Sequence, residues 1–166
     1  MIYRLRVRRR WVIVADVSAR NFVADGGLAH LAYRISFFNG TLPLAPALPL
    51  RYAGLFDAGT ISPGDTLAAN GFTEFIGYNS GTNRIPVFTL GTTSAAGDIV
   101  ELDAESTGTN VVTAPATILG LFVTNQFSMA NVVGDIWNGL NLSTPVAVSP
   151  GDELAISLAG SFQASL

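Results

Sequence analysis

The 166-residue chain has no cysteine and no lysine, carries one histidine, and gives only 13% of its positions to charged residues. Without cysteine there is no disulfide, no thiolate nucleophile and no thiolate metal site, so burial and hydrogen bonding must hold the fold. Without lysine there is no Schiff-base chemistry and no lysine-type phosphate loop, and no Gly-x-Gly-x-x-Gly follows a strand pattern. The single histidine, His30, has no Gly-x-Ser-x-Gly elbow to serve, and a helical reading places it away from the apolar face. The chain is therefore read as a non-enzyme with no cofactor. A glycosidase would need only two suitably spaced carboxylates, and nothing in the sequence selects a pair.

Long hydrophobic runs are missing as well. No window approaches the roughly 18 consecutive apolar residues that a membrane-spanning helix needs, so no membrane segment is expected. The apolar run Trp11-Val12-Ile13-Val14-Ala15 follows a basic start but stops at Asp16. That is shorter than the apolar region of a secretion signal, about 7 to 15 residues, and the start is read as mature protein. What the chain does have is an apolar excess: 49% hydrophobic residues and a mean hydropathy of +0.41. Charged residues usually approach about a quarter of a soluble domain, so part of this surface calls for a cover. The length suits one domain, spanning 1–166.

Charge is unevenly distributed. All nine basic residues are arginines, and Arg4, Arg6, Arg8, Arg9, Arg10 and Arg20 lie in the first twenty positions. From Tyr52 onward Arg84 stands alone against ten acids. In Tyr3-Arg4-Leu5-Arg6-Val7-Arg8 the period of two predicts a strand with the arginines on one face and Tyr3, Leu5 and Val7 on the other. This basic arm, residues 1–20 with its first strand continuing through Val17, reads either as a docking element or as a charged edge strand that discourages aggregation. As a docking element it comprises Arg4, Arg6, Arg8, Arg9, Arg10 and Trp11. With a pI near 4.9, an acidic protein neighbour, including the acidic body of another copy, suits the arm better than nucleic acid.

Residues 21–40 are read as helical, because Leu28, Leu31, Ala32, Ile35 and Phe38 recur on one face between Asp25 and Asn39-Gly40. Residues 41–50 carry three prolines and read as a stiff extended connector. Beyond them, β-favouring runs are predicted at 51–56, 72–78, 85–90, 99–105, 111–113, 117–124, 146–148 and 154–162. Turn clusters punctuate them, among them Ser62-Pro63-Gly64-Asp65, Asn70-Gly71, Asn79-Ser80-Gly81, Asn138-Gly139 and Ser149-Pro150-Gly151-Asp152. The fold expectation is mainly β: a β-sandwich or jelly-roll-like antiparallel domain, its body at 51–166, with one N-terminal α-helix.

Two near-repeats recur at unequal spacing: the Ser-Pro-Gly-Asp turns, and Ala53-Gly54-Leu55-Phe56 against Leu119-Gly120-Leu121-Phe122. The second pair puts glycine inside apolar strands, where backbones can approach closely. The acids Asp98, Glu101, Asp103 and Glu105 could supply oxygen ligands to Ca²⁺, but Glu101-Leu102-Asp103-Ala104-Glu105 reads more simply as a strand with a wet acidic face. No metal site is assigned. Trp11, Trp137 and Phe127 are candidate platforms for a glycan, against the plainer reading of core or interface packing.

Taken in order, the blocks Asn21 to Leu28, Tyr52-Ala53-Gly54-Leu55-Phe56, Gly64-Asp65-Thr66-Leu67-Ala68, Gly71-Phe72-Thr73-Glu74, Tyr78, Arg84-Ile85-Pro86-Val87-Phe88, Ala116 to Thr124 and Val146 to Leu154 resemble a family of small virion proteins of tailed bacteriophages. The chain departs from that pattern in having Phe72 where an indole often stands, an expanded proline connector and the arginine arm. The resemblance implies a structural component of the particle and brings no catalytic residue. Its implied partners are the major capsid protein or another virion protein, with a dimer or trimer of the chain itself. A capsid decoration or cement role is the leading expectation, and a tail, fibre or adaptor component the alternative. A glycan-binding module on the particle surface is the alternative from another class.

Overall fold

The computed structural model describes residues 2–10, 12–20, 22–23, 51–93, 99–106 and 110–163. Among these, the strands are β1 (Ile2–Arg9), β2 (Val12–Arg20), β3 (Phe22–Val23), β4 (Arg51–Gly59), β5 (Phe72–Glu74), β6 (Ile85–Thr93), β7 (Ile99–Ser106), β8 (Asn110–Val111), β9 (Ala116–Thr124), β10 (Ile136–Val148) and β11 (Glu153–Gln163). They join in one antiparallel sheet of order β2-β1-β11-β7-β6-β4-β9-β10-β3, with β5 on β4 and β8 on β11. The first strand in that order, β2, also lies beside β10 near its far end, so the sheet bends around a common core. The protein is mainly β, and the arrangement is consistent with a β-sandwich.

The arm differs from its expected form in a simple way. The chain turns at Arg10, which adopts a left-handed backbone at φ 47°, and returns as β2 instead of continuing as one strand through Val17. The strand β1 is thus an interior strand between β2 and β11, and β2 takes the terminal position. Its predicted alternation is present: Leu5 and Val7 are fully buried, while Arg4 and Arg8 face water. Phe22–Val23, within the region read as helical, is a short strand paired with Asn138 and Gly139 of β10. The helix expected from Asp25 to Phe38 and the connector at 41–50 lie outside the described residues. Among those residues there is no α-helix, and the one helical turn is a 3-10 turn at Asn79–Gly81.

The strand predicted over 72–78 shortens to Phe72–Glu74. The run at 146–148 proves to be the tail of a 13-residue strand, β10. After a register shift between Ile136 and Asn138 that strand continues through Asn138-Gly139, which the sequence suggested was a turn, and those residues pair with Val123 and Phe122 of β9. Pro145 falls where the β9–β10 register shifts between Asn141 and Val146, a break in the ladder where a missing amide costs little.

Two apolar clusters organise the interior. The larger lies between the β1–β11 and β4–β9–β10 regions of the sheet and includes Leu5, Val7, Leu55, Tyr78, Ile85, Ile118, Leu121, Leu140, Val146 and Ile156. The smaller, Phe56, Ile61, Leu67, Phe122 and Ile136 with Phe72 packed on it, covers the opposite face of β4 and β9. Because those central strands are buried on both faces, positions 53–56 and 120–124 are buried without alternation. The Gly54 and Gly120 near-repeats meet here. Pairing of β4 with β9 sets Gly54 opposite Phe122 and Phe56 opposite Gly120, so each ring occupies the space a glycine leaves on the other strand. The glycines make room for aromatic rings across the strand pair, where the sequence had suggested close backbone approach.

Candidate functional site

The basic hairpin of β1 and β2 is built from the bottom by the period-two pattern. With Leu5 and Val7 anchored in the core, Arg4, Arg6 and Arg8 project from the outer face, where cross-strand neighbours on β2 and β11 decide their partners. Asp16 is opposite Arg6 and accepts two hydrogen bonds from Arg4, 2.6 Å from Nε and 2.5 Å from Nη2. Arg6 adds a longer contact of 3.5 Å to the same carboxylate. The hydrogen bond from Arg4, with the positive charges of both arginines, holds the Asp16 carboxyl below the usual carboxylate range.

Arg9 closes the hairpin against a different part of the chain. Its Nε and Nη2 donate to Asp152 at 2.7 and 2.8 Å, a two-pronged pair across 143 residues of sequence. Asp152 is 1% exposed and also accepts the Ser149 amide at 2.9 Å, while its own amide donates to the Ser149 carbonyl at 3.0 Å. The other Ser-Pro-Gly-Asp turn repeats this hook, with the Ser62 amide donating to Asp65 at 2.8 Å and the Asp65 amide to Ser62 at 3.1 Å. The near-repeat is therefore one turn chemistry used twice, and among the described residues an arginine grips the second copy and none the first.

Three of the six residues expected to dock thus have partners within the chain: Arg4, Arg6 and Arg9. Arg8 and Arg10 are exposed and make no ion pair among the described residues, although Glu153 is the cross-strand neighbour of Arg8. Trp11 lies outside the described residues. Alongside these two arginines, β2 exposes three consecutive apolar side chains: Val12 at 63%, Ile13 at 48% and Val14 at 46%.

The hydrogen bond from Arg9 pulls the Asp152 carboxyl below its ordinary value, with the Ser149 amide acting in the same direction. A carboxyl with a depressed folded-state pKa contributes stability that is full above its unfolded pKa, near 3.9, and is lost as pH falls through the folded value. In urea titrations the protein is expected to lose stability below about pH 4. Asp152→Asn should be less stable at neutral pH with a flatter acid limb, and an unchanged acid limb would show that Asp152 does not contribute to it.

A second polar cluster is buried and was not recognised in the sequence beyond the isolation of Arg84 among acids. Arg84, 1% exposed, donates from Nε and Nη2 to Glu74 at 2.8 and 2.7 Å. Its Nη1 donates to the carbonyls of Gln126 and Ser128 at 3.1 and 2.8 Å, and its guanidinium stands 5.6 Å from the Phe122 ring centroid. Burial raises the Glu74 carboxyl above its usual range despite the arginine beside it, and burial, reinforced by the Glu74 charge, raises the Tyr78 phenol strongly. The arrangement fixes the loop between β9 and β10, residues 125–135, to the core. A lone arginine in an acidic body was the sequence signal for it.

The remaining candidates separate. Trp137 is 6% exposed and packs under Arg51, 5.6 Å from its ring centroid, so it offers no glycan platform. Phe127 is 44% exposed and leans on Tyr52 with ring centroids 5.0 Å apart. Glu101, Asp103 and Glu105 alternate along β7 between β11 and β6, while Asp98 and His30 lie outside the described residues. No group of metal-binding side chains occurs among the described residues, and no helix there is long and apolar enough to cross a membrane. No family model, curated protein or solved structure matches the chain.

Proposed function

We propose that this protein is a structural component of a tailed-phage virion, and within it a capsid decoration or cement protein that acts by packing against its neighbours, without chemistry. The observation that carries the reading is the turn end of the β1–β2 hairpin, where Val12, Ile13 and Val14 are exposed and Arg8 and Arg10 make no ion pair among the described residues. An apolar strip rimmed by arginine has the composition of a protein interface core with its polar margin. The ordered strand-and-turn blocks that resemble small virion proteins support the setting, and the absence of lysine, cysteine and a recognisable nucleophile supports a packing role. The jelly-roll form of the sandwich belongs to the same reading, supported by the approach of β2 to β10. A docking patch of about 800 Å² per partner, repeated at many symmetry-related positions, would reinforce a shell.

Quantitative gel densitometry of purified particles against the major capsid band tests the assignment. A copy number approaching that of the capsid subunit is expected. A handful of copies, as tail rings and trimers require, would move the protein to the tail. Its absence from particles would overturn the virion reading. For the cement role, particles stripped of the protein should release their contents at lower denaturant than complete ones, and equal resistance would reject it.

A further inference from the structure

The apolar hairpin has a counterpart at the other end of the same molecule. The loop 125–135 exposes Phe127 at 44%, Val132 at 56% and Val133 at 73%, and ends at the exposed Asp135. One end of the domain thus carries three apolar side chains with two arginines that make no ion pair among the described residues, and the other carries three apolar side chains with a carboxylate. The strand β10 separates them: it begins directly after the loop at Ile136 and ends at the Ser149–Asp152 turn that grips Arg9. It runs alongside the nine residues of β9, which span about 30 Å. Complementary patches that far apart cannot meet within one chain. They can meet between two.

We infer that the basic apolar hairpin of one copy docks on the Phe127–Asp135 loop of a second copy, head to tail. The partner is a second copy because this chain itself carries the surface of opposite charge and like hydrophobicity. A symmetric contact of hairpin on hairpin is disfavoured, since it gathers Arg8 and Arg10 of both copies at one place. The loop is suited to receive a partner because it is held in shape. Arg84 grips the carbonyls of Gln126 and Ser128, the Arg84 amide donates to Phe127 at 2.8 Å, and Met129 donates to Thr82 at 3.0 Å. The docking partner therefore has little loop ordering to oppose it. A head-to-tail contact uses two different surfaces, so copies close into a ring when the rotation between neighbours divides a full turn, and otherwise extend as a filament.

The inference concerns the purified chain and does not depend on the virion role, so its failure and the failure of that reading are separate results. Sedimentation velocity over a concentration series is expected to show self-association of the parent protein. Arg8→Glu/Arg10→Glu and Asp135→Arg should each weaken it at least tenfold, with the parent circular dichroism spectrum retained and, for the hairpin variant, only a small drop in unfolding midpoint from the like charge it sets opposite Glu153. Mixing these two variants should restore association at one-to-one stoichiometry, because the intact hairpin of the second meets the intact loop of the first and the two altered surfaces are again of opposite charge. Combining all three substitutions in one chain should restore self-association. A parent that stays monomeric at every concentration overturns the inference. So does an Asp135→Arg protein that associates like the parent while the hairpin variant does not, which would mark a symmetric hairpin contact.

Discussion

Gly120→Ala is expected to lower the unfolding free energy by about 3 kcal/mol or more, the upper range for forcing an extra carbon into a packed interior. A Cβ at this position would fall within the Phe56 ring and against the Leu140 carbonyl of the neighbouring strand. The ring could rotate away, but the carbonyl belongs to the β9–β10 ladder and cannot move without breaking it. Gly54→Ala is the milder test, at about 1 to 3 kcal/mol, because its nearest obstructions are all atoms of the Phe122 ring. Phe122→Leu should therefore recover part of the loss in the Gly54→Ala protein, whereas Phe56→Leu should recover little in the Gly120→Ala protein. Denaturant titrations of the four chains decide the matter. Alanine variants that unfold at the parental midpoint would rule out the ring-over-glycine packing.

The other large effect is expected at the buried ion pair. Arg84→Met leaves the Glu74 carboxylate largely buried without its cation, and breaking such a pair costs about 3 to 5 kcal/mol. Adding Glu74→Leu removes the uncompensated charge, so the double variant should be more stable than the single one by about 1 to 3 kcal/mol. The loop behaves differently. Both variants lose the hydrogen bonds from Arg84 to Gln126 and Ser128, so limited proteolysis within 125–135 should rise in both. A double variant no more stable than Arg84→Met would show that the charge pairing is not what the cluster contributes. Unchanged loop cleavage would show that Arg84 does not hold the loop. By the head-to-tail inference, both variants should also associate more weakly than the parent.

The two clusters are connected. Phe122 lies opposite Gly54, touches Phe72 at a centroid distance of 5.0 Å, and faces the Arg84 guanidinium at 5.6 Å. Phe72 in turn contacts Phe56 at 5.2 Å. The small core on the outer side of β4 and β9 is therefore an aromatic group fitted over glycines on one side and bordered by an ion pair on the other. Substitutions at Gly54 and Arg84 share Phe122 and should not add independently.

Much of the secondary structure was legible in the residues. The alternation of arginine with Tyr3, Leu5 and Val7 defined β1 and its two faces, because a strand's period of two leaves no other way to bury Leu5 and Val7 together. The Ser-Pro-Gly-Asp and Asn-Ser-Gly clusters marked turns, because those residues satisfy or tolerate turn backbone locally. The long strand β10 was not legible. Its Asn138-Gly139 is a local signal for a break that is overridden by pairing with β9 on one side and β3 on the other, while Pro145 sits where the ladder with β9 is interrupted and the strand nevertheless resumes.

Sequence by itself determined that the chain is mainly β, that its arginines concentrate at one end, and that thiol and lysine chemistry are absent. These follow from composition and short-range periodicity, which each segment carries alone. Only the tertiary structure decided that β1 lies inside the sheet, that Gly54 receives the Phe122 ring, that Arg84 is buried against Glu74, and that Arg9 is taken by Asp152 while Arg8 and Arg10 make no ion pair among the described residues. Each of these depends on which distant strand becomes a neighbour and in what register. Register is fixed by the packing of the whole sheet, and no local stretch of sequence records it.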